Sequence, residues 1–325
     1  MQYKLNDRCY LGCRKDRIAN ATPVLNPDIF YRLVYWIKER SKIHIQKDIE
    51  HKPAPWTNDP VLSQVRFTNV RRELDRETKN VISRVCMADI SFESKIANIC
   101  LFRMLNKLES LDGILPIDFD DAEYNNKVFQ WISSLPPDFK PFSRAFMVSG
   151  MMSSVNAKIG KRNSQIQSCA DYCKWLWDTR FFHTVSLKTN ARDIYEYFKT
   201  VPGLGSFLAY QIFVDITYCP ECTVSENEFV VAGPGCKEGL KLLFQKRAGL
   251  SPEELLFWLR DNWNSLCNEY NIEWDVDEIF PDIPEQDRYM NVMSLQNCFC
   301  ELSKYHRAWY GGFIKNKYIP REEQK

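Results

Sequence analysis

Apolar residues recur at three- and four-residue spacing along most of the chain, and the elements they predict are helices. Phe30, Leu33, Val34 and Ile37 form one such stripe. It follows Asn26-Pro27-Asp28, which reads as a cap, a proline at the first helical position and an acid in the first turn. Asp59-Pro60 opens a long helix expected to run to about Val85. Glu93–Leu108 is helical and strongly amphipathic or buried, through Ile96, Ile99, Cys100, Phe102 and Leu105. Further helical patterns lie around Phe129–Ile132, Phe142–Met152 and Ile166–Trp177. Ser251-Pro252-Glu253-Glu254 is a capping box that starts a helix through Leu255, Phe257, Trp258 and Leu259. The last helix covers about Met293–Tyr305. Lys52–Thr57 reads as an extended linker, and Thr223–Val231 is the one place for a short strand. No internal repeat or low-complexity segment interrupts the pattern.

One punctuation mark stands out. Asn190 caps a helix over Ala191–Thr200 with Ile194, Tyr197 and Phe198 on its stripe, and Phe207–Val214 is a second, buried helix. Between them lies Val201-Pro202-Gly203-Leu204-Gly205-Ser206, the signature of a helix-hairpin-helix. Gly203 and Gly205 are expected to let the turn take positive φ, and the N–H groups from Ser206 on then face an anion, a DNA phosphate in such proteins. A plain tight turn between helices also favours glycine, so both readings stand. The expected fold is all-α: a two-lobed, DNA-glycosylase-like helical fold. It forms a single catalytic unit over 1–325, with lobes of about 60–190 and of 191–325 plus 1–59, and the hairpin at 190–218.

Composition narrows the function less. The 325 residues hold 43 Lys and Arg against 42 Asp and Glu, so DNA contact has to come from a local patch. No apolar run approaches the roughly 18 residues of a membrane span, and Met1–Arg8 lacks a signal-peptide core, so a cytoplasmic protein is expected. The 12 cysteines are then reduced thiols, with Cys86, Cys100 and Cys173 in core positions. Cys219-Pro220-Glu221-Cys222 with Cys236, or with Cys9 and Cys13, matches neither a common zinc module nor an iron–sulfur loop. They read as loop cysteines, and no metal site is expected.

Three constellations can carry chemistry. In Phe67–Arg76, a helix would place Val70, Leu74, Val81 and Val85 on its apolar side and Asn69, Arg72, Asp75, Arg76 and Lys79 opposite. That is either a solvated face or an anion site built from arginine forks that an acid holds in place. In Ser225–Gly235, Glu226 or Glu228 sits about where a hairpin glycosylase carries its acid. Gly233-Pro234-Gly235 then opens a helix through Leu240, Leu242 and Leu243 whose N-terminus is a second phosphate cradle. The alternative there is a loop with solvated acids. In Leu295–Tyr305, Asn297, Glu301 and Lys304 share a face, either a surface pair or a base-edge reader.

Five ordered stretches carry a family resemblance: Pro55–Leu62, Phe67–Arg76, Pro202–Gln211, Phe229–Gly235 and Gln296–Tyr305. Over about residues 25–310 the chain resembles the α-glutamyl/putrescinyl-thymine pyrophosphorylases, or amino acid:DNA transferases. The helical domain associated with 5-hydroxymethyluracil DNA kinase is closely related to them. The resemblance implies a step in phage thymine hypermodification, in which an amine or amino acid replaces the (pyro)phosphate of 5-phosphomethyluracil in double-stranded DNA. With no Gly-x-x-x-x-Gly-Lys-Ser/Thr loop in the sequence, kinase chemistry is not expected here.

The roles expected under that resemblance follow from the chemistry. The base leaves the stack, helped by phosphate contacts at Gly203, Gly205, Ser206, Gly233 and Gly235. Arg72 with Arg71 and Arg76 takes the leaving phosphate. Asn69 orients the base or amine, and Asn297, Glu301 and Lys304 complete the substrate site. Glu228 is the expected base, with Asp75, ion-paired and lowered in pKa, as organiser of the arginines. The one cofactor candidate is a monovalent cation at the hairpin. Partners are the modified DNA, a small amine or amino acid and a separate 5-hydroxymethyluracil DNA kinase, in the cytoplasm of an infected host cell. Competing readings are a helical DNA-binding partner of that kinase, a hairpin DNA base glycosylase and a purely structural helical protein.

Overall fold

A computed structural model describes residues 15–143 and 149–312. In chain order, α1 (Lys15–Ala19), β1 (Val24–Leu25) and α2 (Pro27–His44) are followed by α3 (Arg76–Val81) and α4 (Phe92–Leu105). Then come α5 (Tyr124–Ser134), α6 (Ser149–Ile159), α7 (Gln165–Asp178) and α8 (Phe181–Ser186). The hairpin pair is α9 (Ala191–Lys199) and α10 (Ser206–Ile216). The chain continues with α11 (Pro234–Leu243), β2 (Phe244–Lys246), α12 (Pro252–Glu269), α13 (Val276–Ile279) and α14 (Val292–Trp309). The all-α expectation holds. The only sheet among the described residues pairs β1 with β2 antiparallel, Leu25 opposite Phe244. The strand expected at Thr223–Val231 does not form, and that segment is turn and coil.

The capped helices form where the sequence places them. Asn26 Oδ1 accepts from the N–H of Asp28 and of Ile29, and Phe30, Leu33, Val34 and Ile37 are buried. Ser251 and Glu254 close the capping box reciprocally. Asn190 caps α9 through Arg192 and Asp193. Cys86, Cys100 and Cys173 are buried.

The long helix from Asp59 to Val85 does not form. Asp59 caps a single turn, accepting from Val61 N–H at 2.8 Å and Leu62 N–H at 2.7 Å. The chain then runs without regular structure to a 3-10 turn at Arg72–Leu74, and α3 begins only at Arg76. The physical reason is local competition for backbone groups. Asn69 Nδ2 donates to Leu74 O at 2.7 Å, and the Asn69 N–H donates to the Asp75 carboxylate at 2.8 Å. Asn69, Arg72, Asp75, Arg76 and Lys79 therefore do not share a helical face.

Contacts divide the described chain into two compact units, one of residues 76–228 and one of residues 15–75 with 229–312. The first is organised around α4, buried on every side from Lys95 to Leu105. Its buried Arg103 pairs with Asp215 on α10 and reaches Thr78 Oγ1 at 3.0 Å. The hairpin belongs to this unit, anchored where Tyr172 Oη donates to Pro202 O at 2.7 Å. Only Gly203 has positive φ (90°); Gly205, at φ −63°, is the α10 cap, so the expectation of two positive-φ glycines is corrected. At Gly203 a Cβ would also lie 3.1 Å from Met151 O on α6, while at Gly205 it would meet nothing.

The second unit packs α2, α11, α12 and α14 together. Gly235 and Gly239 face α14: a Cβ on Gly239 would stand 2.2 Å from Phe299 O, and one on Gly235 3.4 Å from Cys300 Sγ. The two backbones approach so closely because these residues have no side chain.

Candidate active site

The centre of the second unit is the irregular segment 66–75, strapped onto α14 and α2. Three side chains of α14 hold it, and they are the face that the 297/301/304 spacing defines. Asn297 Nδ2 donates to Thr68 Oγ1 at 3.1 Å and to Asn69 O at 2.9 Å. Glu301 accepts the Thr68 N–H at 3.3 Å and pairs with Lys304 at 2.6 Å. Lys304 also donates to Arg66 O at 2.8 Å and lies 4.4 Å from the Phe67 ring centroid. Glu301 and Lys304 are thus not a mere surface pair. From α2, Arg40 Nε donates to Thr68 O at 2.9 Å. On the far side Arg71 Nη1 reaches the carbonyls of Asp287 and Tyr289 at 3.1 and 2.8 Å, while its Nε holds Glu73 at 2.7 Å.

These bonds gather Arg40, Arg72 and Glu301 around the Asp75 carboxylate. The residue keeps some exposed surface, but its carboxyl group is desolvated. Burial pushes its pKa up from 3.8 to about 6, against the Asn69 N–H, Arg40 and Arg72; Glu301 adds to the rise. The lowered pKa expected for Asp75 is therefore overturned: loss of water outweighs the cationic neighbours. Burial likewise lowers the pKa of Arg40, opposed by Asp75, Asp48 and Glu301. Several atoms here are buried and unmatched within the chain: Arg40 Nη1, Asn69 Oδ1 and Glu73 Oε2 make no hydrogen bond among the described residues. Such groups are rare, and a buried donor and buried acceptors left unmatched in one unit are what a polar ligand would satisfy. Because Asn69 Nδ2 is fixed on Leu74 O, the orientation of its amide is settled.

The structure thus brings two of the three sequence constellations together in one unit: Asn69, Arg71, Arg72 and Asp75 with Asn297, Glu301 and Lys304. Gly233 and Gly235, at the start of α11, belong to the same unit, and Gly235 packs on Cys300. Arg76, Glu228, Gly203, Gly205 and Ser206 belong to the other unit. There Arg76 is exposed and paired with Glu77 at 2.6 Å and Glu109 at 3.0 Å. Glu228 is half-buried, close enough to Cys222 to help raise the pKa of that thiol, after burial and Cys219. Its neighbour Glu226 is buried and accepts from Tyr218 Oη at 2.5 Å. Cys219 and Cys222 fall in this unit and Cys236 in the other, and no metal-holding group of three occurs among the described residues. Cys9 and Cys13, Met1–Arg8 and part of the pattern at Phe142–Met152 lie outside the described residues. No described helix is long and apolar enough to cross a membrane.

Sequence reasoning missed Arg40. The signal was present: Trp36, Arg40 and His44 stand at i, i+4 and i+8, and a cation between two buried residues on one stripe marks a buried charge.

Fold and site together define an all-helical protein with a desolvated acid among arginines. A family model described as "5-hmdU DNA kinase, helical domain" matches residues 27–312, and the chain belongs to that family. It is similar to the 5-hmdU DNA kinase of Bacillus phage SP10, 26% identical over 287 residues that cover 82% of this chain. They cover 43% of the kinase, so the chain spans less than half the length of that curated relative. No solved structure matches.

Proposed function

We propose that the protein is a DNA-modifying transferase that replaces the phosphate of 5-phosphomethyluracil with an amine or amino acid, and that Asp75 is its base. The observation that carries this reading is a carboxylate whose pKa is about 6, held among arginines beside unmatched polar atoms. Such a group is half-ionised at about pH 6 and largely a free carboxylate at neutrality, where it can take up a proton. In the step proposed, the amine nitrogen bonds to the exocyclic carbon as the carbon–oxygen bond breaks. The phosphate leaves with that electron pair, and the amine proton passes to Asp75. Arg72 and Arg40 offer cationic donors to the departing phosphate. Asn69 Oδ1 is an acceptor suited to the N3–H of a flipped uracil.

The raised pKa of Asp75 shifts the role of base to it from Glu228. DNA backbone contact is assigned to the hairpin. Gly205 caps α10 with no side chain, and Gly205 and Ser206 are exposed, which suits a phosphate at the helix N-terminus. The setting is the cytoplasm of an infected cell.

A second reading, a helical DNA-binding partner of a separate 5-hydroxymethyluracil DNA kinase, is favoured by the family description and by the partial cover of the SP10 kinase. One experiment separates them: the chain is incubated with 5-phosphomethyluracil DNA and mixed amines, and the nucleosides are analysed by mass. An amine adduct establishes the transferase. Bound but unchanged DNA establishes the partner. An abasic site would establish a glycosylase instead.

A further inference from the structure

At the end of α14 a cavity of about 660 Å³ opens between that helix and α2. Its walls include Tyr31, Arg32, Tyr35, His306, Trp309 and Tyr310, with the Asp28 carboxylate also on the lining. Four of these rings are strongly exposed: Tyr310 keeps 67% of its surface, and Tyr31, Tyr35 and Trp309 keep 45–46%. A soluble protein rarely gathers so many open rings at one place without a ligand for them. The tyrosines of α2 are anchored by their hydroxyls, Tyr31 to Tyr270 O at 2.7 Å and Tyr35 to Asp59 at 3.2 Å, while nearly half of each residue stays exposed. The Arg32 guanidinium lies 5.6 Å from the Trp309 ring centroid and 5.4 Å from that of Tyr310. It bonds His306 Nδ1 at 3.0 Å and has no carboxylate at ion-pair distance among the described residues. Burial and Arg32 lower the pKa of His306, so the imidazole is the neutral acceptor in that bond.

We propose that this aromatic–arginine pocket is a stacking site for unpaired DNA bases, with Arg32 meeting the adjoining phosphate. Flat rings accept any base by its π-face, and a guanidinium among them adds charge for the backbone. The inference rests on the reading that the protein acts on DNA, and it assigns the strand opened around the target a place to lie.

The test measures fluorescence anisotropy of a short labelled oligothymidylate, single-stranded and as a duplex, with the full chain. Tyr310→Ala and a Trp309→Ala/Tyr310→Ala double variant should weaken single-strand binding by at least about tenfold. Trp309→Phe should retain it, and circular dichroism should be unchanged throughout. Binding to a closed duplex should change much less, whereas amine transfer to a duplex substrate, which needs the strand opened, should fall with single-strand binding. Wild-type affinity in the folded double variant overturns the stacking site alone and leaves the proposed function standing. A wild-type chain that binds no DNA of any kind overturns both. Loss of self-association in the double variant, with DNA binding intact, would assign the pocket to a second copy of the chain and overturn the inference.

Discussion

The side-chain amide of Asn297 holds the backbone of Asn69: Nδ2 to O is 2.9 Å, between residues 228 apart in sequence. That bond fixes the carbonyl of the residue whose own N–H meets the Asp75 carboxylate at 2.8 Å. Asn297→Ala leaves the acceptors of Thr68 and Asn69 without this donor. Chemical denaturation should show a loss of about 1–3 kcal/mol. Nucleoside mass analysis should show a fall in amine transfer well beyond what unfolding explains. Unimpaired transfer by the folded variant would place the strap outside the chemistry.

Asp75 makes stability depend on pH with a definite sign. Its pKa rises on folding from 3.8 to about 6, so the folded state holds the proton more tightly than the unfolded state. The contribution is complete below about pH 3.8, is lost as pH climbs to about 6 and is level beyond. Asp75→Asn should abolish this component in urea titrations across that window. The wild-type transfer rate should rise through about pH 6, and the variant should lose that limb. A variant with an unchanged pH–rate profile would return the role of base to Glu228.

Arg40 holds the Asp75 pKa down, so removing its charge should let that pKa climb further. In Arg40→Met the rising limb of the pH–rate profile should move above pH 6, while Arg40→Lys should keep it near the wild-type position. Identical profiles for the two variants would show that the charge of Arg40 does not reach the site.

The two classes of glycine should separate in thermal melts. Gly239→Ala drives a methyl group to 2.2 Å from Phe299 O and should cost on the order of 3 kcal/mol. Gly203→Ala, at φ 90° and 3.1 Å from Met151 O, should cost about 1–2 kcal/mol. Gly205→Ala has ordinary backbone angles and open space, so its melt should match the wild type. Any loss of DNA affinity in it then reports on the phosphate contact itself.

The helices with a periodic stripe and a capping residue were legible, because both signals lie within a few residues of each other. The α14 face was legible for the same reason: Asn297, Glu301 and Lys304 declare themselves by spacing. The strap was not. Val70 and Leu74, with Val81 and Val85 further on, are spaced closely enough to helical turns to suggest one. The conformation of the strap is decided by Asn69 bonding Leu74 and Asp75, and by partners on α2 and α14 that sequence does not place nearby. The direction of the Asp75 shift was illegible because it turns on lost water. A list of neighbouring arginines suggests the opposite.

The bonding of segment 66–75 has a consequence for its opening motions. The amides of Thr68 and Asn69 lie in no helix or strand, yet each donates to a carboxylate anchored in the second unit, Glu301 and Asp75. Breaking either bond exposes a buried charge as well as a peptide group. Deuterium should therefore enter these two positions about as slowly as it enters the middle of α14, and far more slowly than it enters Lys52–Thr57. In the rhythm of its fluctuations the strap belongs to the helical core, though it contributes no α-helix to it.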